Sequence, residues 1–595
     1  MQFFKTFLAS LLGTFLALLI LIIILFAAAV SSSSEPEPYI RSNTVLKMNL
    51  VGDIPMRAPD DPLQELLNPG AGAKVSVESI KNNLRKAAVD ENVEGVWIES
   101  NMVSASWANL QSVREYLKEY KESGKFLYFS TDDIGYNEKA YYLATVADSV
   151  FSPPETNFQF SGFVAQITFY RDMLDKIGIE PEIFRVGEYK SAVEPYLRDS
   201  SSPESREQIN AILSTISNTF IQAVSERTGK SAEEIDDMLN TPPVDRLQFA
   251  LDNGLIDAFA FSDEVESIIK NRIGLEEDDD LRTVNFGRYS RVSNSRAGVD
   301  IPDTSDKIAV IYTSGMILPD LPDSPFGSST AITSSKVKKQ LKDATSDENV
   351  KAIVIHINSP GGSATTSDLL WHYIKQASNK VPVVASMGNV AASGGYYMAA
   401  GADTIMAAEN TITGSIGIFN LLFNARELTS DKLGINYETL KTHEYADLFD
   451  LSRPLTSAER SVVQQNIESG YESFLQRVAD ARNMTRDEVD AVARGRVYTG
   501  QAAKDAGIVD LIGDLDDALL VAAEMAGIEE FRVDTYPKRK DLFQTLFGSA
   551  NAQLKSVMFG WIPEETRSDM NDFHSILNQP AGQNWMLLPI KFDTN

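Results

Sequence analysis

The chain contains itself twice. Residues 90–98 read DENVEGVWI and residues 347–355 read DENVKAIVI, AYYLATVADS from Ala140 is matched by GYYMAAGADT from Gly395, and DKIGI from Asp175 by DKLGI from Asp431. The three offsets are 257, 255 and 256 residues, and an offset that stays nearly constant marks a duplicated domain. Duplication also accounts for a length of 595 residues, too great for one ordinary core. Each copy opens on an apolar strand pattern, TVLKMNLVGDI from Thr44 and DKIAVIYTSGMI from Asp306. An amphipathic helix follows in each, VESIKNNLRKAA from Val77 and SSKVKKQLKDAT from Ser334, before the next strand. Strands alternating with helices predict α/β layers with mostly parallel strands. The predicted repeats are residues 44–274 and 306–540, joined by a polar, breaker-rich linker at 275–305 and followed by a tail at 541–595. Apolar groups in the tail, such as NWMLLPIKF, read as packing against the parent domain or a neighbouring subunit, with a membrane-touching role as the less favoured alternative.

Residues 1–43 have a different character. No charge occurs between Lys5 and Glu35. A helix crosses a bilayer with about 20 apolar residues, whereas the apolar part of a signal peptide is about 7–15 long. The segment is therefore expected to be a single transmembrane anchor with its N-terminus in the cytoplasm, followed by the stiff tether SSSSEPEP. A cleaved signal peptide is the alternative, since AAAVSSSS offers small residues at a cleavage position. A net charge of −29 argues against nucleic acid as a partner. The absence of cysteine excludes a disulfide frame, a thiolate nucleophile and a Cys-ligated zinc site. Neither HExxH nor GxxxxGK[ST] occurs, so no metal and no cofactor is expected.

The two copies act as controls for each other. In SMGNVAASGGYYMAAGAD, residues 386–403, Ser393 stands between a strand pattern and a helix pattern, before two glycines. Sliding by 255 places Glu138 opposite Ser393 and Lys139 opposite Gly394, and sliding by 257 places NMVSA, residues 101–105, opposite NSPGG, residues 358–362. The first copy thus lacks a serine site. The second lacks something else: GEYKSAVEPY carries Lys190, and a slide of 256 finds Ala446 there. If the copies pack face to face, Lys190 reaches Ser393 and one composite site serves the chain.

A serine hydroxyl needs an adjacent base, and lysine serves only when neutral, which burial in apolar surroundings favours. Val186, Tyr189, Ala192, Val193 and Tyr196 would supply such surroundings, while Arg185, Glu188 and Glu194 would oppose them. INSPGGSA follows the strand pattern AIVIHI, so Pro360 and the glycines are expected to form a tight turn. Gly361 or Gly362 would then offer one oxyanion donor and Gly394 a second. Ser415, in TITGSIGIF, is either the hydroxyl that holds the lysine amine or a plain turn serine. None of His356, His372, His443 and His574 has a sequence reason to meet Ser393, although a triad assembled from distant positions stays open.

INSPGGSA, MGNVAASGGYYMA, TGSIGIF and GEYKSAVEPY, in an anchored two-repeat chain, together resemble the signal peptide peptidase A (protease IV) family in its long form. The resemblance implies two tandem ClpP/crotonase-like repeats after an N-terminal transmembrane helix, and a serine/lysine peptidase. Ser393 would be the nucleophile, Lys190 the general base, Ser415 the hydroxyl that positions the lysine, and Gly394 with Gly361 or Gly362 the oxyanion donors. It further implies a homotetramer anchored in the bacterial inner membrane, facing the periplasm, that degrades remnant signal peptides and other hydrophobic peptides. The rival readings are a crotonase-like acyl-CoA enzyme, which would be expected to be soluble with acidic groups at the glycine turns, and a non-catalytic peptide-binding scaffold.

Overall fold

The computed structural model describes residues 37–58, 75–241, 246–320, 331–538 and 585–587, together with a few helical positions between residues 6 and 17. The expected transmembrane segment falls almost wholly outside them, and no described helix is long and apolar enough to cross a membrane.

The first repeat is built on strands β1 (Thr44–Gly52), β2 (Val93–Val103), β3 (Phe126–Ser130) and β4 (Ser149–Ser152). Helix α1 (Val77–Val89) crosses between the first two, started by Ser76, whose hydroxyl accepts from the Ser79 amide in a capping box. Helix α2 (Glu138–Ala144) crosses between β3 and β4. One strand of this half, β5 (Glu180–Arg185), leaves it to join another sheet, and the long helix α3 (Pro203–Thr228) follows. Strands β6 (Ala258–Phe259) and β7 (Arg282–Asn285) complete a parallel six-stranded sheet in the order β6-β4-β3-β2-β1-β7.

Strand β7 corrects the expected linker. It pairs in parallel with β1, and the residues after it bury Phe286, Tyr289, Val292 and Ala297 in the first core. Lys86 caps this segment by donating to the carbonyls of Tyr289 and Val292 at 3.1 and 2.9 Å. The polar residues of 275–305 that suggested a linker sit on the outer edge of the sheet, while a few widely spaced apolar ones close the core.

The second repeat repeats the plan with β8 (Lys307–Ser314), α4 (Ser334–Thr345), β9 (Val350–Ser359), β10 (Gly361–Ser363) and α5 (Ala364–Ser378). It continues through β11 (Val383–Ala392), α6 (Gly394–Ala399), β12 (Thr404–Ala407), β13 (Ile412–Gly414) and β14 (Phe419–Asn424). Strand β9 is buried over Ala352–Ile357, because a parallel sheet covered by helices on both faces hides its central strands completely. Each Val or Ile so buried contributes about 1.5–3 kcal/mol. Strands β15 (Val497–Thr499) and β16 (Arg532–Tyr536) close the edges, giving the order β15-β13-β11-β9-β8-β16.

The halves are stitched by a third sheet. Strand β5 of the first repeat pairs antiparallel with β14 of the second, from Arg185 opposite Phe419 to Glu180 opposite Asn424. At its other end, residues 585–587 of the tail form β17, paired antiparallel with β10 and, at Trp585 opposite Phe419, with β14, so this part of the tail packs against its parent domain. The sheet runs β10-β17-β14-β5. The glycines of INSPGGSA are accordingly a short strand rather than only a tight turn, because their backbone finds partners on both edges.

Candidate active site

Strand β11 ends at Ala392 and helix α6 begins at Gly394, so Ser393 occupies a one-residue elbow with φ 55° and ψ −112°. A serine there carries backbone strain of about 1–3 kcal/mol, which the surroundings must hold in place. They do so through the Ser393 amide, which donates to the Gly414 carbonyl at 2.8 Å, and through the Tyr397 amide, which donates to the Ser393 carbonyl at 2.8 Å. Packing around the elbow demands glycine. A Cβ on Gly394 would collide with Ser367 and lie 3.2 Å from the Gly362 amide nitrogen, and one on Gly395 would lie 2.7 Å from the Ser359 carbonyl oxygen.

Lys190 comes from the other half. The β5–β14 pairing carries the chain back to the second repeat, and the loop after β5 is then pinned to it. The Tyr189 amide donates to the Arg494 carbonyl at 3.1 Å, and Gln208 of α3 donates to Ser191 Oγ at 2.7 Å while accepting from the Val497 amide at 3.1 Å. The lysine is fully buried, and its Nζ stands 2.8 Å from Ser393 Oγ. Nζ donates to the Ser415 carbonyl at 3.0 Å and to Ser415 Oγ at 2.9 Å. Ser415 can present both oxygens to one atom because its backbone is turned to φ 51°. A neutral amine has two hydrogens and one lone pair. In the neutral amine, with both hydrogens on the Ser415 oxygens, the lone pair would face the Ser393 hydroxyl.

Burial alone holds Lys190 well below the ordinary lysine range. Arg185 and Glu194, which sequence reading set against such a shift, are otherwise engaged: Arg185 donates to the Lys190 carbonyl, and Glu194 accepts from the Ser202 amide.

Gly361 and Gly362 are not equivalent. The Gly361 amide already donates to Ser359 Oγ at 3.1 Å, and the Gly361 carbonyl and Ser363 amide are taken by Ile317. Successive residues of a strand point their amides to opposite edges, so the Gly362 N–H faces the other edge, where Met586 pairs with it, and the Gly362 nitrogen lies near Gly394.

The histidines lie elsewhere. His356 is buried in β9 with Nδ1 3.3 Å from Ser386 Oγ, and burial lowers its pKa to about 4. His372 and His443 are exposed, and His574 lies outside the described residues. In the first repeat, Glu138 stands at the start of α2 and is buried, its carboxylate accepting from the Ser161 amide at 2.9 Å, and burial raises its pKa. Strand β2 runs on to Val103 where the second repeat breaks at Pro360.

Two glycines escaped the sequence reading. A Cβ on Gly495, which has φ 80°, would lie 2.6 Å from Lys190 Cβ, and one on Gly417 would lie 3.3 Å from its Cδ. Gly417 sits in TITGSIGIF, where only the serine drew notice; Gly495 sits in no motif. Substituting Gly495→Val is expected to lower the turnover of an apolar peptide about 100-fold by displacing the lysine. Steady-state kinetics beside an unchanged near-UV spectrum check this, and near-normal turnover would mean that the lysine stem has room to move.

The model of peptidase family S49 matches residues 120–276 and 375–529, one block in each repeat. The chain belongs to peptidase family S49. A Clp protease model also matches residues 327–413, the stretch that contains β10 and Ser393. This S49 chain is 34% identical over 495 residues to the chloroplastic serine protease SPPA of Arabidopsis thaliana, covering 83% of the chain and 71% of that protein. It is 33% identical over 513 residues to Protease 4 of Salmonella typhi, covering 83% of the chain and 80% of that protein. A putative signal peptide peptidase SppA of Enterococcus faecium is 35% identical over 217 residues, covering 36% of the chain and 62% of that protein. The chain is thus an α/β serine protease with two tandem S49 repeats.

Proposed function

We propose that this S49 protease is a membrane-anchored endopeptidase that degrades remnant signal peptides in or near the bacterial inner membrane, using Ser393 as nucleophile and Lys190 as general base. The observation that carries the reading is the 2.8 Å approach of a buried lysine amine to the hydroxyl of a strained elbow serine. Neutral Lys190 takes the Ser393 proton as the hydroxyl attacks a peptide carbonyl. The Gly362 and Gly394 amides stabilise the oxyanion, and Ser415 keeps the amine aimed. The resulting ammonium protonates the leaving amine, and water hydrolyses the ester.

The apolar segment before Glu35 anchors the chain, with the two repeats on the periplasmic side, in the layer where such peptides remain. The name of the Enterococcus relative agrees with that substrate class. Assembly into a homotetramer would cover apolar side chains such as Leu433, Tyr437 and Leu440, which stand exposed beyond β14.

The test is hydrolysis by the detergent-solubilised full chain of a fluorogenic signal peptide, against a charged peptide of equal length, with a fluorophosphonate to trap the nucleophile. Faster cleavage of the signal peptide and a phosphonate adduct on Ser393 are expected. Equal rates would remove the substrate class, and an adduct on another residue would remove the assigned nucleophile.

A further inference from the structure

Residues 494–497 join the loop that carries Lys190 to the loop that carries Ser415, and they do so by main chain. The Arg494 carbonyl accepts from the Tyr189 amide at 3.1 Å, one residue before the lysine, and the Arg496 carbonyl accepts from the Ser415 amide at 2.6 Å. Between them, the Gly495 amide donates to the Ile416 carbonyl at 2.8 Å. The spacing of Lys190 from Ser415 is thus set by one short loop. Its own backbone preference does not hold that loop in shape, because Arg494 has φ 51° and Gly495 φ 80°. A non-glycine residue keeps such a conformation only where its surroundings impose it.

Two buried side chains impose it, one from each repeat. Tyr471, on the helix Ser457–Arg482, accepts from the Arg494 amide at 3.1 Å and donates to Asp490 Oδ1 at 2.7 Å. Burial pushes its phenol above the usual range, so it remains a hydroxyl that accepts and donates at once. At the other end, Gln208 Oε1 accepts from the Val497 amide at 3.1 Å, while its Nε2 donates to Ser191 Oγ at 2.7 Å, one residue after the lysine. The charged groups of the loop and its neighbours are engaged with other partners: Arg494 with Glu188 and Asp490, Arg496 with Glu207, Arg486 with Glu472, Arg185 with the Lys190 carbonyl, and Glu194 with the Ser202 amide. The Arg494–Glu188 and Arg496–Glu207 pairs are exposed and fix little.

We infer that Tyr471 and Gln208 are positioning residues of the reaction: by gripping the amides at the two ends of residues 494–497, they set the Lys190 loop against Ser415 and so aim the amine at Ser393. The inference rests on the Ser393 and Lys190 reading given above. Neither side chain touches the reacting atoms. When either grip is lost, the strained loop relaxes, the Lys190 and Ser415 segments move apart, and water enters around an amine whose pKa burial alone holds down. The lysine then titrates at a higher pH and points less well, so transition-state stabilisation falls while peptide binding is kept.

The test is hydrolysis of a fluorogenic apolar peptide by the detergent-solubilised full chain, with kcat and KM followed from neutral to alkaline pH. Wild type is compared with Tyr471→Phe, Gln208→Met and Lys190→Met. Tyr141→Phe is the control, since it removes a buried hydroxyl that donates to the Leu255 carbonyl at 2.8 Å within the first repeat. Tyr471→Phe and Gln208→Met are each expected to lower kcat roughly tenfold with KM near that of wild type. The rise of their kcat/KM should be displaced to higher pH, so that alkali restores part of the loss, while Tyr141→Phe keeps the wild-type profile. Unchanged kcat in both variants overturns the inference. So does a loss with the pH profile left in place, or the same change in Tyr141→Phe, since either marks a general structural effect. A dead Lys190→Met beside unaffected Tyr471→Phe and Gln208→Met removes the positioning role alone, whereas a Lys190→Met that keeps its turnover removes the lysine as base and the inference with it.

Discussion

Lys190→Met is expected to abolish peptide hydrolysis, by about 10⁴-fold or more, in a chain that folds as before. Methionine fills nearly the same channel past Gly495 and Gly417, so packing survives while the base is gone. The same variant reports on charge. An unfolded lysine titrates near 10.5, and burial places the folded value well below that. Between the two values the unfolded chain holds one proton more than the folded one, so wild-type stability rises with pH by about 1.4 kcal/mol per unit. Below the folded value the cost of burying the lysine is constant and at its greatest; above 10.5 it vanishes. The melting temperature of Lys190→Met relative to wild type should accordingly fall as pH is raised from neutral toward 10.5. A gap that does not change with pH would show that the buried amine keeps its proton, and it would remove lysine as the base. Wild-type kcat/KM should rise with pH through the same lowered pKa and level off well before the pH reaches 10.5.

Ser393→Ala is the second large effect, a loss of about 10⁴-fold or more with an unchanged fold. Alanine accepts the elbow conformation at a cost similar to that of serine, and Lys190 retains both Ser415 oxygens. Stability should therefore move by less than about 1 kcal/mol. Because the two residues act as a unit, the double variant should be no slower than either single one. Multiplied losses would mean that each residue works with a different partner. Turnover within tenfold of wild type would assign the nucleophile elsewhere.

Much of the architecture could be read from residues alone, for a reason the copies themselves supply. The strands that open each repeat and the helices after them begin within a residue or so of where their apolar periodicity starts, because local pattern and burial agree there. That Ser393 and Lys190 meet was legible for a different reason: a duplicated chain reveals which copy has lost what, and the two losses are complementary. What escaped was decided by contacts remote in sequence. Val284, Phe286 and Tyr289 are too sparse to announce a strand and cap, yet β1 offers an open edge that only they fill. Nothing in NWMLLPIKF tells which sheet it joins, and β17 is selected by the edge of a strand more than 200 residues earlier. Nor does the sequence separate Gly361 from Gly362: their difference arises from Ser359, whose hydroxyl takes the Gly361 amide.

The pairing of β5 with β14 puts a clock on the enzyme. A chain is made from its N-terminus, so the lysine leaves the ribosome 203 residues before the serine, and the strand that will aim it has no partner until Phe419–Asn424 has followed. With Lys190 as the proposed base, half a chain, however well folded, would hold an amine with nothing to deprotonate. With the proposed Ser393 and Lys190 pair, cutting power would appear only when β14 of the second repeat docks onto β5 of the first, after synthesis has passed the point at which an unfinished protease could damage itself or its neighbours.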